Sequence, residues 1–378
     1  MKVLLATMGL GIGGAETHIV ELSKGLKKKG IDVVVASNGG EYVKELENAG
    51  IIHYIVPMHN KNIFNVIKSY SLLKNIITKE KINIVHGHAR IPSFICARLQ
   101  KEMKFPFVTT AHWTFTTKHG LKYITKWGDK TIAVSEDIKK YLLDNYSNIK
   151  EENITVTVNG IDTEKFSKKI AYEEILKEFN IYDSSFRIVY ISRLDDTRAL
   201  VAKQLINITE KIHEVNEKIQ VIIVGGGNVF DELSKNAEEV NKKIGLNVII
   251  MTGARSDINK FANMADMFIG VSRSALEAMA CEKPIIIAGN EGYIGIFDET
   301  KLNVGISTNF CCRDTKDSTE ELLYEDIVKI TGNTFENLEK MGTYNKKIVE
   351  TYYSVDKMVN DTISVYDSFY NKNINNNF

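Results

Sequence analysis

Cysteine, proline and tryptophan are scarce in this chain of 378 residues, with four, four and two of each. Cys96, Cys281, Cys311 and Cys312 form no CxxC pair, and only the last two are adjacent. That spacing excludes a disulfide framework and a structural zinc site, and a reducing, cytoplasmic location is expected. Charge of one sign is lacking too: Lys+Arg and Asp+Glu both number 48. Nucleic-acid proteins carry a basic excess, so that partner class is set aside. Uninterrupted apolar runs stay short of the ~18 residues that a membrane helix needs. The opening MKVLLATMGLGIGG runs straight into glycines without a small-residue cleavage site, so it reads as a strand and not as a signal peptide.

What is present is an α/β rhythm. Short β-branched runs stand at Lys2–Ala6, Ile31–Ala36, Ile51–Val56, Ile82–His86, Phe107–Thr110 and Lys130–Val134. Amphipathic helices fit between them, at Glu16–Lys28, Ile63–Thr78 and Ser135–Asp144. Continuous apolar strands alternating with helices predict a parallel sheet covered on both faces. A polar stretch at Lys165–Ser185 interrupts the pattern, which restarts with Arg187–Ile191, Lys218–Val224, Asn247–Met251, Met267–Ile269 and Pro284–Ala288. Two doubly wound, Rossmann-like domains are therefore expected, over residues 1–164 and 165–354. A final helix at about 355–371 would complete the first, and NKNINNNF at 371–378 reads as a frayed polar tail. Ligands of such folds sit at the carboxyl ends of the strands, here in a cleft between the domains.

Residues with chemistry cluster at those strand ends. MGLGIGGAE (Met8–Glu16) places Gly13 and Gly14 before a helix N-terminus, where backbone approaches a ligand closely and free N–H groups face an anion. Gly9, Gly11 and Gly14 also fit a dinucleotide fingerprint, but Ala36-Ser37-Asn38 stands where its acidic residue belongs. In the second half, Ser192-Arg193-Leu194-Asp195 ends a strand, and Arg198 follows. Guanidinium is a planar fork suited to phosphate oxygens, whereas the plainer reading is a surface arginine. Gly225, Gly226 and Gly227 follow another strand, either for close ligand approach or as a permissive turn. Thr252-Gly253-Ala254-Arg255 closes a third. In GVSRSALEAMACEKP (Gly270–Pro284), Ser272 or Ser274 is placed to cap a helix whose first turns carry Arg273 and Glu277. Glu277 suits a ribose diol, or simply compensates the helix dipole. In the first half, His112 follows a strand. His86 and His88 form an HxH pair that lacks an evident third ligand, so no metal site is expected.

In order, GGAE (Gly13–Glu16), TTAH (Thr109–His112), AVSE (Ala133–Glu136), NGID with Phe166, SRLD (Ser192–Asp195), GGG (Gly225–Gly227), TGAR (Thr252–Arg255) and LEAMAC with KP (Leu276–Pro284) span nearly the whole chain. The set resembles glycosyltransferase family 4, whose members have the GT-B fold and act with retention. The resemblance implies a nucleotide-sugar donor, a UDP-sugar first, and no cofactor or metal. It implies an acceptor that is a glycan, a lipid-linked sugar or a protein, in cell-surface glycan, glycolipid or glycoconjugate synthesis. Arg193 and Arg198, the latter at the place of the usual lysine, would stabilise the departing diphosphate. Glu277 would hold the ribose, Gly253 to Arg255 would line the base pocket, and Gly13 and Gly14 would lie against the donor phosphate or acceptor. His112 would meet the transferred sugar.

One departure stands out. The family's first glutamate, eight residues before Glu277, is Ile269 here, and its glycine-phenylalanine-glycine is Gly270-Val271-Ser272 followed by Arg273. Ser272, Arg273 and Ser274 at a helix N-terminus are then expected to meet the donor phosphates or an acidic sugar. Non-catalytic binding proteins and sugar-nucleotide epimerases of the same fold remain alternatives. Lysine-rich stretches at Lys24–Lys29 and at Lys118–Lys130, the latter with Tyr123 and Trp127, suggest peripheral contact with the inner face of a membrane, against the plainer reading of solvated helix faces.

Overall fold

The structure, a computed structural model, describes residues 1–371. From residue 372 on, the expected polar tail lies outside the described residues. The chain divides into two compact units. The first is residues 1–160 together with the helix Val355–Asn371; the second is Ile161–Ser354.

The first unit carries a seven-stranded sheet: β1 Lys2–Ala6, β2 Asp32–Ser37, β3 Ile52–Ile55, β4 Ile84–His88, β5 Phe107–Ala111, β6 Lys130–Ala133 and β7 Ile154–Val156. Its order is β3-β2-β1-β4-β5-β6-β7, and every pairing is parallel. Alternation along the strands feeds two cores. Val3, Leu5, Val33 and Val35 pack with Ile19, Leu22 and Leu26 of the helix Gly14–Lys28 and with Met358, Val359 and Tyr366 of the last helix. Leu4, Ala6, Val34 and Ala36 pack on the other face with Leu73, Ile76, Ile95 and Leu99. Both faces are buried, which is why these strands read as unbroken apolar runs.

The second unit has six strands: β8 Phe186–Ile191, β9 Ile219–Val224, β10 Ile249–Met251, β11 Met267–Gly270, β12 Ile285–Gly289 and β13 Gly292–Ile296. They are ordered β10-β9-β8-β11-β12-β13. All pair in parallel except β13, which turns back antiparallel on β12 at the sheet edge. The sequence pattern did not announce β13 or β7, the short edge strands. The boundary between units falls after Gly160, four residues before the expected 164. Ile161 already belongs to the second unit, because its N–H donates to the Tyr353 carbonyl at 2.7 Å.

In each sheet the strand order reverses once at the middle, between β1 and β4 and between β8 and β11. In open sheets these switch points part the loops at the carboxyl ends and leave a crevice there. The residues that leave β1, β4, β8 and β11 are therefore the ones to inspect.

Candidate active site

On the first unit, the loop after β1 is tied to the loop after β2. Leu10 N–H donates to the Gly39 carbonyl at 2.8 Å, and Tyr42 N–H to that of Leu10 at 3.0 Å. Gly40 has φ 142°, and an added Cβ would come within 2.3 Å of Leu10 backbone. Gly13 precedes the helix Gly14–Lys28, and the Glu16 carboxylate folds back over it, 2.3 Å from where a Cβ would stand. The Gly13 carbonyl accepts from both the amide and the hydroxyl of Thr17.

Four histidines converge beside this loop. His86 and His88 lie on β4, His112 follows β5, and His18 comes from the helix after β1. His86 is fully engaged: Nδ1 meets the Tyr366 hydroxyl and Nε2 the Thr110 hydroxyl, each at 2.7 Å. His88 Nδ1 lies 3.0 Å from His112 Nε2. One ring nitrogen each of His18, His88 and His112 lies within 4.8 Å of the others. The residue that joins His88 and His112 in this cluster is His18, which the sequence placed inside an amphipathic helix and gave no role. Burial pushes the His86 imidazole down to about 3, helped by the charge of His112. Burial likewise pushes His112 down to about 4. His88 is held well below the ordinary histidine range by burial and then by its three neighbours. These are neutral imidazoles at physiological pH.

On the second unit, Arg193 leaves β8 exposed, and Arg198 follows on the same loop, half exposed, 3.8 Å from the Asp195 carboxylate. Burial works against the charge of Asp195, but the Thr197 hydroxyl and amide and then Arg198 keep it below the usual carboxylate range. Such a solvent-facing pair is worth at most about 1 kcal/mol, so Arg198 can exchange its partner readily.

The glycine run after β9 has a packing task. An added Cβ on Gly225, at φ 149°, would stand 1.8 Å from the Ser192 carbonyl oxygen, and one on Gly227 would stand 2.0 Å from that of Leu194. Leu194 N–H donates to the Gly226 carbonyl at 3.0 Å, and Gly225 N–H to that of Gly253 at 2.9 Å. The glycines let three neighbouring strand-end loops knit together, and so fix the backbone that presents Arg193. Gly253 itself adopts φ 74°.

Three expectations change here. Arg255 does not offer its guanidinium to a base pocket: it grips Asp257 at 2.9 and 3.0 Å and Glu178 at 2.6 and 3.0 Å. It also lies over the rings of Phe179 and Phe261. Those carboxylates raise it above the ordinary arginine range and spend its donors inside the fold. Arg273 does not reach outward to phosphate. It is buried along the helix Ser272–Ala280, and its Nε donates to Glu277 Oε1 at 2.8 Å, an i,i+4 pair whose carboxylate residue is 4% exposed. Neither serine caps that helix. Val271 holds the cap position, and the Ser274 hydroxyl donates back to the Val271 carbonyl. Ser272 instead occupies the left-handed region at φ 51°, with its N–H on the Phe310 carbonyl at 2.8 Å. A glycine suits that backbone, and the resembled motif carries one there.

Of the lysine-rich stretches, Lys24 is paired with Glu21 and Glu45, and Lys27 donates to the Gly50 carbonyl. Trp127 does not stand out to solvent: it stacks on Phe115 and meets Tyr146 edge-on. Among the described residues, no helix is long and apolar enough to cross a membrane.

Known proteins share this pattern. Residues 12–165 match the profile Glycosyltransferase Family 4, and residues 171–347 match Glycosyl transferases group 1. An uncharacterised glycosyltransferase of Methanocaldococcus jannaschii is 25% identical, over 92% of this chain and 96% of its own. The crystal structure of a glycosyltransferase from Rickettsia africae superposes with a TM-score of 0.76 at 23% identity, covering 97% of this chain and 98% of its own. The Anabaena protein HepE, solved in complex with UDP, gives 0.74 at 16% identity over 97% and 100%. The strand-end arginines, the knitted glycine loops and the two switch points thus sit in a known frame: the chain belongs to glycosyltransferase family 4 and is a glycosyltransferase with two Rossmann-like domains of the GT-B fold.

Proposed function

We propose that the enzyme transfers a sugar from a nucleoside-diphosphate sugar, a UDP-sugar first, to an acceptor hydroxyl with retention, in cell-surface glycan, glycolipid or glycoconjugate synthesis. The observation that carries the donor class is the presentation of Arg193 and Arg198 from the carboxyl end of β8, at the switch point of the second sheet. A departing diphosphate develops negative charge, and fixed guanidinium groups meet that charge without a bridging metal. The UDP complex of HepE, a structural neighbour, supports the choice of base.

The residues divide the work. Arg193 and Arg198 hold the leaving phosphates, Arg198 giving up Asp195 to do so. Gly225, Gly226 and Gly253 keep the loops close enough for backbone to flank the nucleotide. Glu277 takes the ribose diol, and Arg273 fixes its carboxylate in place. On the first unit, Gly13 and Gly14 border the acceptor, and His112 offers its Nδ1 to a sugar hydroxyl. The retained diphosphate oxygen deprotonates the acceptor on the face that it leaves, so no protein nucleophile is required.

A thermal-shift panel of UDP, GDP, ADP and CDP tests the donor class without an acceptor, since a ligand that binds only the folded state stabilises it by mass action. UDP is expected to give the largest shift and to lose it in Arg193→Ala. A larger shift with another nucleotide would replace the base, and no shift with any would remove the donor assignment. The anomeric configuration of the product, read by NMR, decides retention.

Peripheral membrane contact is the second part of the reading. No Asp or Glu stands between Glu47 and Glu80, a span with Lys61, Lys68, Lys74 and Lys79. Within it, the helix Ile63–Lys79 turns Ile63, Phe64 (78% exposed) and Ile67 to solvent. Apolar residues among lysines suit an anionic lipid surface. Flotation with phosphatidylglycerol vesicles should capture the protein, and Phe64→Glu should abolish capture.

A further inference from the structure

The three imidazoles on the first unit exceed what contact with one sugar hydroxyl requires. His18, His88 and His112 arrive from three separate elements: the second turn of the helix Gly14–Lys28, the last residue of β4 and the first residue after β5. The ring centroids are 4.7 Å apart for His18 and His112, 5.3 Å for His88 and His112, and 5.8 Å for His18 and His88. His18 and His88 are each 1% exposed, while His112 keeps part of its surface open. The Nδ1 of His88 already faces the Nε2 of His112 across 3.0 Å.

We propose that His18, His88 and His112 form a three-histidine site for a divalent transition-metal ion, zinc being the reference case. Imidazole nitrogen selects zinc, copper, nickel or iron over magnesium and calcium, which prefer oxygen. Three protein nitrogens leave a fourth position for a water or a substrate oxygen. The dimensions suit it. Metal–nitrogen bonds of about 2.0–2.1 Å in a tetrahedron separate neighbouring donors by about 3.3 Å. The His88–His112 pair already stands at 3.0 Å, and the widest separation, within 4.8 Å, closes by side-chain rotation. The hydrogen that now lies between Nδ1 of His88 and Nε2 of His112 moves to the other nitrogen of its own ring, so no charge is lost. His86 is not a ligand, because both of its nitrogens are taken by Tyr366 and Thr110. The open edge of His112 is the entry path. The metal would fix a hydroxyl or carboxylate oxygen on the first unit, a task separate from the diphosphate contacts proposed on the second, and the proposal stands whether or not that donor reading does.

The test uses the full chain, stripped with chelator and dialysed. Titration calorimetry with zinc chloride should show one equivalent bound, and cobalt(II) should give the intense visible bands of a tetrahedral site. His18→Ala and His112→Ala should each weaken zinc binding by at least about tenfold, the lower end of what even an outer-shell loss costs. His59→Asn, on an exposed loop, should leave it unchanged. Substoichiometric binding, or equal affinity in His112→Ala, would overturn the site. Because a buried histidine variant can misfold, wild-type imidazole nitrogen resonances give an independent reading. Those of His18, His88 and His112 should move on zinc addition, and their constancy would sink the proposal.

Discussion

The two units repeat one architecture and solve opposite electrostatic problems at the same place. At the switch point of the first sheet, the polar groups are imidazoles that burial holds neutral. At that of the second, they are guanidinium groups and carboxylates in pairs, Arg198 with Asp195 and Arg273 with Glu277, and a further such pair, Arg255 with Asp257 and Glu178, follows the edge strand β10. A sheet terminus fixes where a ligand-facing loop will be. It does not fix the charge, which the loop residues choose. Neutral imidazoles suit hydroxyls or a metal, and arginines suit phosphate.

The buried pair gives the largest contrast. Removing one partner of a buried ion pair costs about 3–5 kcal/mol, because the other charge is left uncompensated. Arg273→Ala is expected to destabilise the second unit by that amount in urea titration and to spare the first. If stability stayed within 0.5 kcal/mol, a range typical of surface changes, Arg273 would have no holding role. Arg193→Ala should do the reverse: stability unchanged, with kcat lower by about 10²–10³, as when one oxyanion donor is lost. Turnover at the wild-type level would move the leaving-group contact elsewhere.

Gly225→Ala sharpens the packing side of the contrast. Its Cβ would meet the Ser192 oxygen at 1.8 Å and would need φ 149°, so strain and overpacking together are expected to cost roughly 2–4 kcal/mol. The loop carrying Arg193 would shift, and UDP affinity should fall with stability. A variant that lost neither would show the loops to be loosely coupled.

Acid separates the units. A folded imidazole held at about 3 or 4 stays neutral, while in the unfolded chain it takes a proton near pH 6.5. Below 6.5 the unfolded state therefore binds more protons. Stability is full above that pH and declines by about 1.4 kcal/mol per histidine per pH unit as pH falls toward the folded values. The second unit relies on carboxylates such as Asp257, which its Arg255 hydrogen bond lowers against the effect of burial, and their stabilisation fades only below about pH 4. Both tryptophans, Trp113 and Trp127, lie in the first unit, so their fluorescence reports it alone while circular dichroism reports both. The fluorescence transition should come at higher pH than the ellipticity of the remainder. Coincident transitions, with and without zinc, would remove the contrast.

Much of the fold was legible because strands buried on both faces must be apolar throughout, as VLLA and VVVA are. Edge strands lack that requirement. β7 has one buried residue, and β13 carries glycines at 292 and 295 in place of a repeating pattern. The site was legible as positions more than as partners. Arg193 and Arg255 look alike in sequence, each closing a strand, yet Glu178 lies far enough along the chain that no spacing rule links it to Arg255. His18 was hidden for the same reason: in a helix its apolar neighbours mark it as core, and only the fold brings β4 and β5 beside it. The one signal available was that GGAE is followed so closely by a histidine, ahead of HxH and TTAH.

The smallest effect concerns Ser272, where the second unit departs from the family motif in the backbone itself. At φ 51° a serine carries strain that glycine does not, of about 1 kcal/mol or a little more. Glycine also makes the unfolded chain more flexible, which costs back about 0.4–1 kcal/mol. Ser272→Gly should therefore stabilise by no more than about 0.5 kcal/mol, read as a small rise in the urea midpoint at constant slope. If instead stability falls by more than 1 kcal/mol, the serine hydroxyl holds a contact that the strain serves. Ser272 would then belong with Arg193 among the groups that meet the donor, and UDP affinity in the variant would show it.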